Sequence, residues 1–191
     1  MPDKRIFVAI HYTPTNDFSS WYQELKRQAF EENVKWTDVS NFHITLKFIG
    51  DTSDRLIGGL ASSLREVALK FAPFELTPAG FGYFGPAHAP RVFWTAIDDP
   101  SQTLASLANA VDEVCHDVLQ TENEPQPFKA HLTLGRPKKI SAPGRIKEWV
   151  EKYRNNVFRP FKVNEFLLVW STLTLAGPVY KTLFSFPLGR V

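Results

Sequence analysis

NFHITLKFIG, residues 41–50, is the stretch that decides how this chain folds. Apolar and polar side chains alternate along it, which predicts a β-strand with one face on a core and one face open. The apolar residues predicted to face the core are Phe42, Ile44, Leu46 and Phe48. The polar residues predicted to face away from it are His43, Thr45 and Lys47. His43 and Thr45 then stand about 6 to 7 Å apart on the open face.

The same pattern returns in AHLTLGR, residues 130–136, where His131 and Thr133 stand in the same relation. The surroundings of the two copies also match. Residues 5–10 resemble residues 91–97, and a Pro-Phe strand follows each histidine at nearly the same interval, at Pro73 and at Pro160. An internal duplication explains this order better than chance similarity between short strands, and it predicts two similar lobes whose His-x-Thr faces can converge on one groove.

Length and composition indicate one compact globular protein. With 191 residues, 43% of them hydrophobic and 22% charged, the chain can bury a substantial core, and we predict a single two-lobed domain over residues 1–191. A net charge of +2 argues against a protein that coats long duplex nucleic acid, but it permits a local site for an anion. The single cysteine, Cys115, excludes an intrachain disulfide.

The apolar runs of the chain are short. None approaches the roughly 18 residues needed to cross a bilayer. The run at residues 6–10 is of strand length and follows charged residues, unlike the apolar region of a signal peptide. We therefore expect a cytoplasmic protein, and we expect it to be a monomer.

Two histidines on opposite sides of a phosphorus atom can divide acid and base catalysis between them. Histidine has an ordinary pKa near 6.5, so a neutral ring can take a proton from an attacking water while a protonated ring gives one to the departing alkoxide. Each such transfer is typically worth roughly 10²- to 10⁴-fold in rate. Threonine hydroxyls can donate hydrogen bonds to the non-bridging phosphate oxygens. A strained cyclic phosphodiester suits this set, because in-line attack opens it without a metal.

Other readings of the motifs have less support in the sequence. A single His-x-Thr strand is usually structural, but two copies at the same place of a repeated unit argue for a site. Neither motif has an Asp, Glu, Cys or third His at ligand spacing, so we predict no metal and no cofactor. The sequence also lacks a Gly-x-Ser-x-Gly elbow and a P-loop. We interpret the remaining histidines as structural or solvent-facing; they are His11, His88 and His116.

At these residues the chain resembles a known family. The segments 43–46, HITL, and 131–134, HLTL, are similar to the paired His-x-Thr-x motifs of the 2H phosphoesterase superfamily. The closer resemblance is to the bacterial and archaeal RNA 2′,3′-cyclic phosphodiesterases, also called 2′-5′ RNA ligase-like proteins. The opening RIFVAI at residues 5–10, the continuation FIG at residues 48–50 and the pair GR at residues 135–136 extend it. The resemblance covers nearly the whole chain.

The resemblance implies an α+β fold of two pseudo-symmetric lobes, each an antiparallel sheet with helices outside, around a central cleft. It implies metal-independent hydrolysis of RNA 2′,3′-cyclic phosphate ends to 2′-phosphomonoesters, so that the expected partner is an RNA or oligonucleotide terminus. Carried over by position, His43 would be the proton donor and His131 the proton acceptor. Thr45 and Thr133 would hold the phosphate, and Arg136 would contact the same region.

Several points stay open at this stage. The near-symmetry of the motifs does not decide which histidine gives the proton. Arg136 has the wrong strand parity to share a face with His131, so it needs a bend, which Gly135 would permit. Candidates for a base-stacking surface, each also suited to a core, are Phe7, Trp36, Phe84 and Trp94. The alternative functions are a 2′-5′ RNA ligase, a phosphodiesterase for small cyclic nucleotides and a non-catalytic module that binds RNA ends.

Overall fold

The computed structural model of the chain describes residues 3–122, 126–175 and 177–189. The strands, numbered in chain order, are β1 (Lys4–His11), β2 (Asn33–Trp36), β3 (His43–Thr52), β4 (Phe74–Phe84), β5 (Val92–Asp98), β6 (His131–Lys139), β7 (Phe161–Val163), β8 (Glu165–Thr174) and β9 (Gly177–Pro187). The helices are α1 (Asn16–Gln28), α2 (Asp54–Ala68), α3 (Thr103–Leu119) and α4 (Pro143–Tyr153). A 3₁₀ turn over Val39–Asn41 leads into β3.

Two antiparallel sheets form the two lobes. The first has the strand order β3-β1-β8-β9, and the second has the order β2-β6-β5-β4-β7. Helices α2 and α3 lie against the first sheet, while α4 lies against β4 of the second and α1 reaches β6 and α4. The predicted fold class, α+β with two pseudo-symmetric lobes, is confirmed.

The helices form where apolar side chains recur every three or four residues. In α3 such a stripe is buried while the opposite face is polar, as expected for a helix that covers a sheet. The buried residues of this stripe are Leu104, Leu107, Ala108, Val111 and Cys115. The helix ends at Gln120, which adopts a left-handed backbone conformation and donates its N–H to the carbonyl of His116.

The lobes do not correspond to consecutive halves of the chain. The third strand of each repeat crosses to the other sheet, since β4 pairs with β5 and β8 pairs with β1. The Pro-Phe segments that match in the sequence pair with each other, with Phe74 opposite Val163, and Leu76 opposite Phe161. This pairing is symmetric about the central pair of Glu75 and Lys162, so a local two-fold axis relates the two repeats there.

The structure differs from the sequence prediction in several element bounds. The glycines at positions 80, 82 and 85, followed by Pro86, predict an irregular segment, but β4 continues to Phe84. Gly80 bends this strand with a φ of 65°, and Gly82 leaves room for the indole of Trp94, which a Cβ at that position would approach to 2.3 Å. The sequence after Asn16 predicts a helix that ends near residues 32–33, but α1 ends at Gln28, one turn earlier. The polar, proline-containing sequence of residues 122–127 predicts a loop, part of which falls on residues 123–125, outside the described residues.

A continuous apolar core joins the two sheets. It contains the alternate residues of both motif strands, namely Phe42, Ile44, Leu46, Leu132 and Leu134. Complete burial of each such side chain stabilises the fold by about 1.5 to 3 kcal/mol. Packing in the core therefore fixes the apolar face of each motif strand, and the opposite face is directed toward the space between the lobes. Among the described residues, no helix is both long and apolar enough to cross a membrane.

Candidate active site

The first motif strand contains a β-bulge directly after its threonine. Ala9 lies opposite Thr45 and Val8 lies opposite Lys47, so Leu46 is an extra residue in the ladder. The bulge reverses the alternation of side chains beyond it. The strand pattern predicted Lys47 beside Thr45 and Phe48 in the core, and both predictions are wrong.

Lys47 is instead buried behind the sheet, where it forms an ion pair of 2.5 Å with Asp112 of α3 and is only 4% exposed. Phe48 lines the space between the lobes and is 61% exposed. An alternating pattern cannot reveal this exchange, because one extra residue moves every later side chain to the other face of the sheet.

The second motif strand has its bulge at the equivalent place. Trp94 lies opposite Thr133 and Phe93 lies opposite Gly135, so Leu134 is the extra residue. Arg136 thereby turns to the same face as Thr133. The bend that the sequence prediction required is present, at Leu134 rather than at Gly135.

Strands β3 and β6 approach each other across the interval between the sheets, with Cα atoms within 8 Å. A cavity of about 530 Å³ opens there. It is lined by all five residues predicted for the site, namely His43, Thr45, His131, Thr133 and Arg136. The tertiary structure therefore brings together two motifs that are far apart in the chain.

Both histidines are oriented by the same hydrogen bond. Nδ1 of His43 lies 2.6 Å from the carbonyl oxygen of Asn41, and Nδ1 of His131 lies 2.8 Å from that of Lys129. A carbonyl oxygen only accepts, so each Nδ1–H donates to it. In the neutral ring this bond leaves the lone pair on Nε2, which makes Nε2 the atom that can exchange a proton with a ligand.

The surroundings of His43 act on its charge. Burial lowers the pKa of His43, the hydrogen bond to Asn41 opposes this shift, and the charges of His11, His131 and Arg136 add to the lowering. His11 lies opposite His43 in the β1–β3 ladder. His11 is exposed, as the interpretation of a structural or solvent-facing residue expects. Its place opposite His43 could not be read from the sequence, because ladder pairing is not visible in one strand.

Aromatic rings surround both histidines. The ring centroids of Phe7 and Tyr180 lie 5.1 and 5.3 Å from that of His43, and Phe84 lies 5.1 Å from His131. Of the four predicted stacking candidates, Phe7 and Trp36 line the cavity, while Phe84 packs on Trp94 at 5.3 Å. These contacts restrict both imidazoles from the side.

Several cavity residues were not predicted from the sequence, and three of those that the structure describes carry a cation or a phenol. They are Arg5, Lys35 and Tyr180. Burial raises the pKa of Tyr180, and the charges of Arg136 and Arg5 lower it, so both guanidinium groups act on this phenol. The only sequence signal was the odd-numbered parity that Arg5 shares with Phe7 on β1, and nothing in the sequence connects Lys35 with the motifs.

Within the described ranges, no group of three or more His, Cys, Asp or Glu side chains is placed to hold a metal ion. The polar groups of the cavity are mainly hydrogen-bond donors and cations. A set of this kind suits an anionic ligand and can hold a phosphoryl group through its oxygens.

The fold and the paired His-x-Thr strands define the class of the protein as a two-lobed 2H-type phosphoesterase. The model of the LigT-like phosphoesterase family matches the chain over residues 9–94 and again over residues 97–180. Each match contains one motif, as expected for a duplication. The chain belongs to the LigT-like phosphoesterase family, and the resemblance seen in the sequence is confirmed.

Curated relatives cover most of the chain. A protein of Aquifex aeolicus (strain VF5) named RNA 2′,3′-cyclic phosphodiesterase is 31% identical over 155 residues, which are 81% of this chain and 82% of that protein. A protein of the same name from Archaeoglobus fulgidus is 34% identical over 159 residues, which are 83% of this chain and 86% of the relative. The prediction of an enzyme of the hydrolase class is confirmed at the level of the family.

Solved structures share the fold. TT0787 of Thermus thermophilus superposes with a TM-score of 0.76 at 23% identity and covers 96% of this chain and 97% of its own. E. coli LigT in apo form gives a TM-score of 0.75 at 21% identity and covers all of both chains. The two-lobed arrangement is therefore that of known structures.

Proposed function

We propose that this protein hydrolyses 2′,3′-cyclic phosphodiester ends of RNA to 2′-phosphomonoesters, without a metal ion. The observation that carries the proposal is the pair of histidines, each oriented by a backbone carbonyl two residues earlier, in one cavity with both motif threonines and Arg136. The names of the curated relatives support the same reaction.

In the proposed reaction, neutral His131 accepts a proton from a water molecule whose oxygen attacks phosphorus in line with the 3′ oxygen. The bond between phosphorus and the 3′ oxygen breaks, and the imidazolium of His43 donates a proton to that oxygen. The products are a 2′-phosphomonoester and a 3′-hydroxyl. Thr45 and Thr133 donate hydrogen bonds to the non-bridging oxygens, and Arg136 stabilises the added negative charge.

Substrate charge resolves an apparent conflict in this assignment. Burial lowers the pKa of His43, which disfavours the imidazolium that a proton donor needs. A bound phosphodiester is an anion, and an opposite charge close to a histidine favours its charged form. Substrate binding is therefore expected to raise the pKa of His43 at the step where its proton is used.

The first test is turnover of an oligonucleotide with a 2′,3′-cyclic end in the presence of a chelator. Substituting His43→Ala or His131→Ala is expected to lower kcat by at least roughly 10²-fold, the lower bound for one lost proton transfer. The matched control is His88→Ala, because His88 is exposed in the turn between β4 and β5. Full activity in either motif variant would refute the two-histidine mechanism, and loss of activity with the chelator would refute metal independence.

A second substrate separates the donor from the acceptor. In a cyclic phosphate with sulfur in place of the 3′ bridging oxygen, the leaving thiolate needs no proton. The loss in His43→Ala should then shrink strongly, while the loss in His131→Ala should persist; the reverse result would exchange the two roles. Phosphorus NMR of the product identifies the isomer and detects ligation. Tight binding of the cyclic end with no turnover in the unmodified protein would favour a binding module instead.

A further inference from the structure

Among the described residues, three cations line the main cavity, and only one of them is explained by the reactive phosphate. Arg136 lies beside Thr133 on the motif strand. Arg5 on β1 and Lys35 on β2 line the same cavity, one from each lobe. Both of these side chains are exposed, which places them toward the open side of the cleft.

Lys35 spans the mouth of the cleft. It lies opposite Arg136 in the β2–β6 ladder, and its Nζ approaches the other lobe at Gly177, where a Cβ would lie 3.1 Å away. Gly177 has a φ of 140°, a conformation that side chains rarely adopt, and begins β9. The lack of a side chain at this residue leaves room for the ammonium group between the two lobes.

Arg5 reaches the cavity from the first lobe. The charges of Arg5 and Arg136 act on the same phenol, Tyr180, although their strands β1 and β6 belong to different lobes. Asp51 lies opposite Arg5 in the β1–β3 ladder. Among the ion pairs of the described residues, however, none involves Arg5, Lys35 or Arg136.

The cavity offers these cations little compensation. In the part of the chain that the structure describes, its only carboxylate is that of Asp38, which already accepts hydrogen bonds from the backbone N–H and the hydroxyl of Ser40 at 2.9 and 2.6 Å. A concentration of positive charge with so little opposite charge beside it, at the mouth of a cleft, attracts a ligand with more than one negative group.

A second cavity shares this concentration of positive charge only in part. It adjoins the first at Thr45, Phe48 and His131, and it extends toward α3. Its buried lysine, Lys47, is engaged with Asp112. Among the described residues, this leaves Lys129 as the one exposed cation of its lining, against Arg5 and Lys35 in the main cavity. Of the two directions that lead away from the histidines, the one toward Arg5 and Lys35 is therefore the direction suited to a phosphate chain.

We propose that Arg5 and Lys35 bind the phosphate group on the 5′ side of the terminal nucleotide, while Arg136 serves the cyclic phosphate. This proposal rests on the proposed function. It makes the enzyme selective for an RNA end that carries at least one further phosphate, and it disfavours a 2′,3′-cyclic mononucleoside phosphate. The two cations act as specificity-determining residues, since they contact the RNA backbone and not the reacting atoms.

The test compares kcat/KM for cytidine 2′,3′-cyclic phosphate with that for the same compound carrying a 5′-phosphate and for a dinucleotide with a cyclic end. The unmodified protein should prefer the two substrates with an added phosphate. Arg5→Gln and Lys35→Gln should each reduce this preference about tenfold, the effect of one exposed charge-assisted hydrogen bond. The matched control is Arg65→Gln, because Arg65 is an exposed cation on α2, outside the cavity lining.

A binding measurement keeps the two proposals apart. Kd is measured by calorimetry for adenosine 2′-monophosphate and for adenosine 2′,5′-bisphosphate, at several salt concentrations. The bisphosphate should bind more tightly. The double variant Arg5→Gln, Lys35→Gln should abolish the difference. It should also make the affinity for the bisphosphate less dependent on salt, because two exposed charges whose attraction is screened by salt are removed.

The outcomes of this measurement are distinct. Equal losses of affinity for both ligands, or an unchanged preference for the bisphosphate, would overturn the subsite. Discrimination in binding without any turnover would overturn the proposed function and leave the subsite standing.

Discussion

Single residues break the symmetry of a nearly symmetric cleft. Phe48 and Arg136 stand at equivalent positions, three residues beyond each motif threonine and beyond the same bulge, and the burial of the first six residues is identical in β3 and β6. One lobe therefore presents an aromatic ring where the other presents a guanidinium group. The proposed mechanism gives the two histidines different acid and base roles, and this difference in charge around them is one source of the distinction.

The charge state of His43 is the prediction that belongs at this scale. In the ligand-free protein its pKa, measured by NMR titration of the imidazole, should lie below the ordinary value of about 6.5, because burial and neighbouring cations disfavour the imidazolium. Inorganic phosphate should raise it. Arg136→Gln should raise it as well, by removing one of the repelling charges. A pKa above the ordinary value in the ligand-free protein would contradict this account.

The same shift has a consequence for stability. The pKa of His43 is lower in the folded state than the ordinary value expected for the unfolded chain. The free energy of unfolding therefore contains a stabilising contribution from this group at pH values above the ordinary pKa of histidine. That contribution is lost as the pH falls through the lowered folded-state pKa.

At the scale of elements, each bulge is held by a helix from the other repeat. The hydroxyl of Tyr22 in α1 lies 2.9 Å from the carbonyl oxygen of Leu134 and 2.8 Å from that of Thr37, and it donates to this pair. On the other side, Asp112 of α3 binds Lys47 next to the bulge at Leu46. The register of the motif strands thus depends on helices that are distant in the sequence.

Tyr22→Phe tests this support. The hydroxyl is buried, and its loss should lower the free energy of unfolding by about 1 to 2 kcal/mol, as measured in a urea titration. It should also raise KM, because the bulge that directs Arg136 into the cavity loses an anchor. The control is Tyr153→Phe, since the Tyr153 hydroxyl is buried without a hydrogen bond to any described residue. A stability loss in Tyr22→Phe with unchanged KM would show that the bulge holds without it.

At the scale of the whole molecule, the two lobes are connected because each repeat contributes a strand to the sheet of the other. Strand β4 of the first repeat lies in the second sheet, and β8 of the second repeat lies in the first. Each sheet contains strands from both repeats, and the apolar core continues between them. We propose that the chain forms one cooperative two-lobed domain. Separating β4 from β5, or β8 from β1, would disrupt strands of both repeats at once.

Hydrogen exchange can measure this coupling. Ile44→Ala removes a fully buried side chain from β3 and should cost about 3 kcal/mol. If the domain is cooperative, the slowest-exchanging amides of β5 in the other sheet should lose the same opening free energy. Leu132→Ala in β6 is the reciprocal change, read on the amides of β1. Protection in β5 that is unaffected by Ile44→Ala would mean that the lobes open independently.

The amino-acid sequence by itself determined the repeat, the α+β fold class and the faces of His43, Thr45, His131 and Thr133. These features depend on local alternation, which is written in neighbouring residues. The sequence did not predict that residues 80–84 continue a strand. Its two glycines have a role there, one in a bend and one in making room for Trp94, and the second role exists only when β5 lies beside β4.

Only the tertiary structure decided that Phe48 and Arg136 enter the cleft and that Lys47 leaves it. A bulge is a mismatch between two paired strands, so it has no existence in one strand alone. The same reason holds for three further cavity residues that carry a cation or a phenol and that the sequence did not reveal. They come from three other strands and meet only when both sheets assemble; they are Arg5, Lys35 and Tyr180.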